Sequence, residues 1–492
     1  MADLCSRYEA YVEARERERL AYRSGHSDAL QLQQVDSSFE DVTSGDGLDE
    51  LRRELGAAKF ESERDQLSRL LHAVEDAVLA SDVRDLEARL GERERQQSFR
   101  VGRRDARAVE WAARLAEEAE ASRRAEIQLG LDRAWAELNP LREELFGARG
   151  HALARLGYPT PRAWAEARRP GTDYDRWGEC ATRLLSETES AYRDGSRNAL
   201  QAVGVAPDSA HRGDALRVDR LSAYDRLFPA DRLIETLDFT LEGMGIRTDR
   251  LSGLSIDLEP RPRKQRAAFC SAPRPPDEVY LVAWPSPGVP AYAGFLHAAG
   301  RALQHLYSSP SLPVERQRSA DAALPEAWGA LLASRLADAV WIERGSPAVR
   351  AEAYAPDIRL RRCAALRRTA AAVRFELELA SLEGGADPRT LDAVYAAELS
   401  EGAGCQWGPE GYLVGADALL ASVDRLRGWC LEAQLSEFLR ERFGRRFWRE
   451  RGAGDLLKEL WNTGSTYSAE ELASELGLGA LDVDALIETC DP

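Results

Sequence analysis

From the N-terminus to about residue 250, apolar residues recur at three- and four-residue intervals, as in LDELRRELGAAKF and AVEWAARLAEEAEASRRAEIQL. A sequence with that period has to pack as helices, several of them long. Between Leu251 and Pro287 the pattern changes to short β-prone segments, LSIDLEP, RAAFCSA and EVYLVAWP, which predict one small antiparallel sheet. Helical spacing then returns and runs to the end, broken by the Gly-rich GAGCQWGPEGY at 402–412. Ser24–Gly47 has weak periodicity and reads as a loop, and tandem repeats are not evident. The expected fold is mostly α, with two helical lobes and the one small sheet placed directly before a helix at 292–307. At 492 residues and 44% hydrophobic the chain can bury more than one core. We therefore expect a helical N-terminal lobe over 1–250 and a second domain over 251–492, made of the sheet at 251–287, helices at 292–342 and closing helices at 355–492.

The chain carries 66 basic and 83 acidic residues, a formal net charge of -17, which repels a phosphate backbone and an anionic lipid surface. Nucleic-acid and membrane partners are not expected. No apolar run of membrane-spanning length occurs, and MADLCSRYEAYVEARERERL is charged where a signal peptide needs an apolar stretch. The seven cysteines are scattered and form no CxxC pair, which suits reduced thiols in the cytoplasm. Most of the 11 tryptophans recur beside Leu and Phe at helical spacing, as core residues do. GRRFWRERG at 444–452 reads as a solvated helix face or an ion-pair network, and no phosphate-binding glycine loop or GxSxG elbow occurs.

The segment FLHAAGRALQH at 295–305 is the one stretch with a chemical signature. At about 100° per residue, Tyr292, Phe295, Leu296, Ala299, Leu303 and Leu306 gather on one side, while His297, Arg301, Gln304 and His305 gather on the other. For an arbitrary helix this means a solvated polar face. Here a β-prone strand leads in, and a second helix opens at Pro325 with Glu326 in its first turn, 29 positions after His297. Two histidines at i and i+4 on one helix and a glutamate from the next are the ligand set of an HExxH zinc peptidase.

The segment from Phe295 to Leu332, FLHAAGRALQHLYSSPSLPVERQRSADAALPEAWGALL, resembles the catalytic core of the thimet oligopeptidase and oligoendopeptidase F family, a gluzincin group of zinc metallopeptidases. Glu326 followed by Trp328 is similar to the ending of the family pattern. ARLGYPTPRAW at 154–164 resembles its helical lid, and Trp429–Gly477 its closing helices. The resemblance implies former metal-ligand positions at His297, Arg301 and Glu326, with the general-base position at Ala298. A methyl group takes no proton from zinc-bound water, and a guanidinium has no lone pair and keeps its charge. The family's oxyanion tyrosine or histidine has no counterpart in ADALLASVDRLRGW at 416–429; Tyr412 lies before it.

These departures imply an oligopeptidase-like pseudoenzyme with no intact catalytic residue and no cofactor, binding a peptide or protein partner. Tyr280, Trp284, Trp328 and Tyr412 are candidate cleft-lining residues, and the small sheet offers backbone for strand addition. A glutamate left in a metal-free pocket needs a counter-charge, so Arg301 is expected to form a bidentate pair with Glu326. The alternative is an active zinc-dependent oligopeptidase with a non-standard or partner-completed site, in which His297 and Glu326 hold the metal. A third reading is a helical scaffold with no open cleft. His305 lies two turns beyond His297, about 12 Å along the axis, too far to share an ion with it.

Overall fold

The computed structural model describes residues 2–169, 171–318, 321–345, 351–415 and 418–490. The chain is mostly helical and divides into two compact units, each assembled from separate stretches. The first comprises Met1–Ser81, Tyr224–Ala351 and Arg427–Leu481; the second comprises Asp82–Ala223, Glu352–Leu426 and Asp482–Pro492. The boundary expected near residue 250 falls inside the first unit. Its N-terminal helix, Ala2–Arg23, packs on the sheet far along the chain: Arg23 lies 4.0 Å over the Phe269 ring and its Nε donates to Gln265. Helical periodicity shows that a segment has an apolar face but not which distant element covers it.

The described residues form five strands, β1 (Ser98–Val101), β2 (Arg104–Arg107), β3 (Leu254–Asp257), β4 (Phe269–Arg274) and β5 (Glu278–Val282). The expected sheet is the three-stranded one in the first unit, in the order β3-β5-β4. It is mixed: β4 pairs antiparallel with β5, but β3 runs parallel to it. Short β-prone runs in sequence carry no information on strand direction. In the second unit, β1 and β2 form an unanticipated hairpin against the helix Ala121–Leu156. Phe99 lies on Gly130 there, where a methyl group would stand 2.2 Å from the ring, and Trp111 Nε1 donates to the Phe99 carbonyl. Ser24–Gly47 holds the short helices Leu32–Ser37 and Glu40–Thr43 rather than pure loop, pinned where Tyr11 donates to buried Asp36.

The helix Val289–Tyr307 lies against β4, β5 and the helices Ala323–Ala333 and Arg451–Asn462. Val279, Leu281, Phe295, Leu296, Leu303, Leu331 and Trp461 are buried in this unit. Trp111, Trp177, Trp328, Trp448 and Trp461 are fully buried, as their spacing predicts. In the second unit the helix Tyr174–Ala202 begins at Asp173, whose side chain accepts from Arg176 N, and buries Trp177, Leu184 and Leu185. GRRFWRERG contributes a short 3-10 turn, Phe447–Arg449, in which Phe447 and Trp448 are buried, so this stretch is not simply a solvated face.

Candidate functional site

The candidate site is built on the crossing of Val289–Tyr307 and Ala323–Ala333, and small residues make the crossing close. A methyl group on Gly300 would stand 2.0 Å from the Trp328 carbonyl oxygen, and one on Gly329 would stand 2.6 Å from the His297 ring. On a third helix, Ala421–Phe443, a methyl group on Gly428 would stand 2.5 Å from the Ala323 carbonyl oxygen and 2.8 Å from Glu326 Cβ. The glycines bring the polar face of the first helix within reach of the first turn of the second.

That first turn is anchored by a buried ion network. Arg427 is fully buried and donates to both carboxylate oxygens of Asp321, at 2.9 and 2.7 Å, and to Glu470 at 2.8 Å. Asp321 also accepts from the backbone N–H of Ala323 and Ala469. A carboxylate accepting N–H groups at a helix start is favoured by geometry and by the helix dipole. This network was not picked out from sequence. Asp321, Arg427 and Glu470 are far apart in the chain, and nothing in their local spacing marks them.

Glu326 has His297 beside one carboxylate oxygen and Arg301 beside the other. His297 Nε2 stands 3.3 Å from Oε2, and Arg301 Nη1 stands 3.6 Å from Oε1. Arg301 and Glu326 are an ion pair at a distance longer than a hydrogen bond, not the close bidentate pair expected, with Arg301 44% exposed and Glu326 21% exposed. Ala298 is buried on the same helix. His305, farther along, is pushed down to about 4 by burial and then by the charges of Arg301 and Arg318.

The four candidate cleft residues are placed differently. Trp328 is core, packed edge-on against Trp461 at 6.1 Å between ring centroids. Tyr412 belongs to the second unit, is buried, and donates to Glu143 at 2.7 Å. Tyr280 is half-buried on β5 and its hydroxyl donates to Glu278. Trp284 is half-buried beneath the Arg266 guanidinium, 3.7 Å from the ring centroid. Because β5 is the middle strand, its backbone is paired on both sides, so strand addition is left to β3 or β4. In the window 416–429, residues 416 and 417 lie outside the described residues.

The donors do not fit zinc. The 3.3 Å between His297 Nε2 and Glu326 Oε2 would suit two ligands of one ion, since tetrahedral bonds of ~2.0 Å put neighbouring donors roughly 3.3 Å apart. The third donor is missing, and a guanidinium stands on the carboxylate instead. Among the described residues no group of three His, Cys, Asp or Glu side chains converges as metal ligands.

No family model matches the sequence, and no curated protein matches it significantly. Solved structures do match, several carboxypeptidases among them. A carboxypeptidase of Pyrococcus furiosus aligns with a TM-score of 0.62 at 11% identity, covering 99% of this chain and 97% of that one. Metallocarboxypeptidase 1 of Trypanosoma cruzi aligns with a TM-score of 0.60 at 15% identity, covering 99% and 98%. The M32 carboxypeptidase from Deinococcus radiodurans R1 aligns with a TM-score of 0.62 at 13% identity, covering 99% and 97%. The chain has a metallopeptidase-like fold over its whole length. The likeness is consistent with a zinc-metallopeptidase-like chain and does not reach the thimet oligopeptidase and oligoendopeptidase F group specifically. No helix among the described residues is long and apolar enough to cross a membrane.

Proposed function

We propose that this chain has a metallopeptidase fold whose zinc-dependent hydrolysis has been lost and which binds a peptide or protein partner. The observation that carries this reading is the Arg301 guanidinium 3.6 Å from Glu326, on the helix turn where a second histidine ligand would stand. Its fixed charge opposes a dication, and Ala298 offers no base. His297, with a tautomeric N–H, and Arg301 instead form a donor-bearing patch suited to peptide carbonyls or a carboxylate.

Metal analysis of the purified chain, with calorimetry against a short-peptide library and a peptidase assay in added zinc, tests this. Less than a tenth of an equivalent of zinc with saturable peptide binding supports it; stoichiometric zinc with chelator-sensitive cleavage overturns it. The second reading, an active zinc oligopeptidase completed by a partner chain, draws on the ligand-like spacing of His297 and Glu326. It requires zinc and activity to appear together when the partner is added.

A further inference from the structure

A cavity of about 290 Å³ opens within the first unit, between the turn at 227–229 and the helices Leu233–Glu242 and Ala339–Gly345, at the start of Val289–Tyr307. Four aromatic side chains, Phe228, Phe239, Tyr292 and Trp341, line it. They brace one another in two inclined pairs, Phe228 against Tyr292 at 5.1 Å between ring centroids and Phe239 against Trp341 at 6.1 Å. The polar atoms of the rings are already engaged: the Tyr292 hydroxyl donates to the Pro229 carbonyl at 2.6 Å, and Trp341 Nε1 donates to Thr240 Oγ1 at 3.2 Å. What the rings offer an occupant is therefore apolar face and edge, the surface on which another aromatic ring packs best. The charged groups of the cavity are Arg232, Glu235 and Arg344. Arg232 donates to both oxygens of Glu235, at 2.8 and 2.5 Å, so these two charges offset one another. Arg344 is exposed and has no acidic partner among the described residues. In a chain of net charge -17, this cavity carries one uncompensated positive charge.

We propose that this cavity binds a small aromatic carboxylate, its ring among Phe228, Phe239, Tyr292 and Trp341 and its acid group on the Arg344 guanidinium. A guanidinium presents parallel N–H donors that match the two oxygens of a carboxylate, and an apolar wall with one placed charge fixes both the ring and its orientation. The volume holds a single ring with a short acidic arm and leaves no room for a peptide. An occupant that also carries an ammonium group gains little, because Glu235 is already committed to Arg232. The cavity is separate from the site at His297: Tyr292 belongs to the buried, apolar side of its helix, and His297 and Arg301 to the other.

The test is calorimetric titration of the intact chain with phenylacetate, and with phenylacetamide as the uncharged control. Phenylacetate should saturate one site with a Kd on the order of 1 mM or tighter. Phenylacetamide, and phenylacetate against Arg344→Gln, should bind at least ~10-fold more weakly. Arg344 is on the surface, so this substitution leaves the fold intact. In the chain labelled with nitrogen-15 tryptophan, the indole N–H resonance that is absent from Trp341→Phe should shift along the same binding curve. No saturable heat, equal affinity for the acid and the amide, or unchanged affinity in Arg344→Gln would overturn the proposal. So would binding that leaves the Trp341 resonance unmoved, which would place the acid elsewhere, the patch at His297 and Arg301 included. If Trp341→Phe does not fold, the comparison of the unaltered chain with Arg344→Gln decides the matter.

Discussion

His297 lies against Gly329, so closely that a methyl group on that glycine would stand 2.6 Å from both Cδ2 and Nε2 of the imidazole. The ring occupies the space where any other residue would put its β-carbon. The same absence of a side chain lets Gly300 approach the Trp328 carbonyl, but there the neighbour is backbone.

The two glycines should therefore respond differently to alanine. In Gly329→Ala the partly exposed His297 ring can swing away, breaking its pairing with Glu326, at a cost of about 1 kcal/mol. In Gly300→Ala the helices must separate, costing about 3 kcal/mol or more. Urea unfolding measures both, and the His297 imidazole resonances should shift in the Gly329 variant. Equal costs would mean that the crossing is looser than the distances indicate.

Arg301→His completes a His, His, Glu donor set and should raise zinc affinity at least 100-fold, read by competition with a chromogenic chelator. Adding Ala298→Glu supplies a base. Peptide hydrolysis should still be at least ~10²-fold below that of an intact metallopeptidase, because no tyrosine or histidine is present in 416–429 to stabilise the oxyanion. Brisk turnover by the double variant would show that another group serves.

His305 links stability to acid. Its folded-state value of about 4 lies below the ordinary 6.5, so the folded chain binds this proton less readily than the unfolded chain. The contribution is fully present above pH 6.5 and is lost as pH falls toward 4, by at most about 3 kcal/mol. His305→Gln should flatten the stability curve over that interval, measured as the difference between parent and variant. Identical slopes would refute the assignment.

Asp132 works in the opposite sense. Burial raises it to about 6, and the 2.6 Å bond donated by Gln128 Nε2 only partly offsets this. The folded chain holds this proton more tightly, so stability falls as pH rises from about 4 to 6 and stays lower above. Asp132→Asn keeps an acceptor and sheds the charge. It should stabilise the chain at pH 7 by about 1–2 kcal/mol, with little change at pH 4. Chemical denaturation at the two pH values checks this, and stabilisation of equal size at both would point to packing instead of charge.

The amino-acid sequence by itself determined the helical class, the interval that becomes the main sheet, the helix bearing His297 and Arg301, and the start of the helix bearing Glu326. These are set by local period and chemistry within some forty residues, so they are readable in one dimension. The direction of β3, the hairpin at Ser98–Arg107, the placing of Trp328 and Tyr412 in core packing, and the assembly of each unit from three stretches were decided only by tertiary structure. So was the Asp321–Arg427–Glu470 network. Each depends on groups brought together by burial of apolar faces, which is non-directional: it rewards covering a face without specifying, in the local sequence, what will cover it.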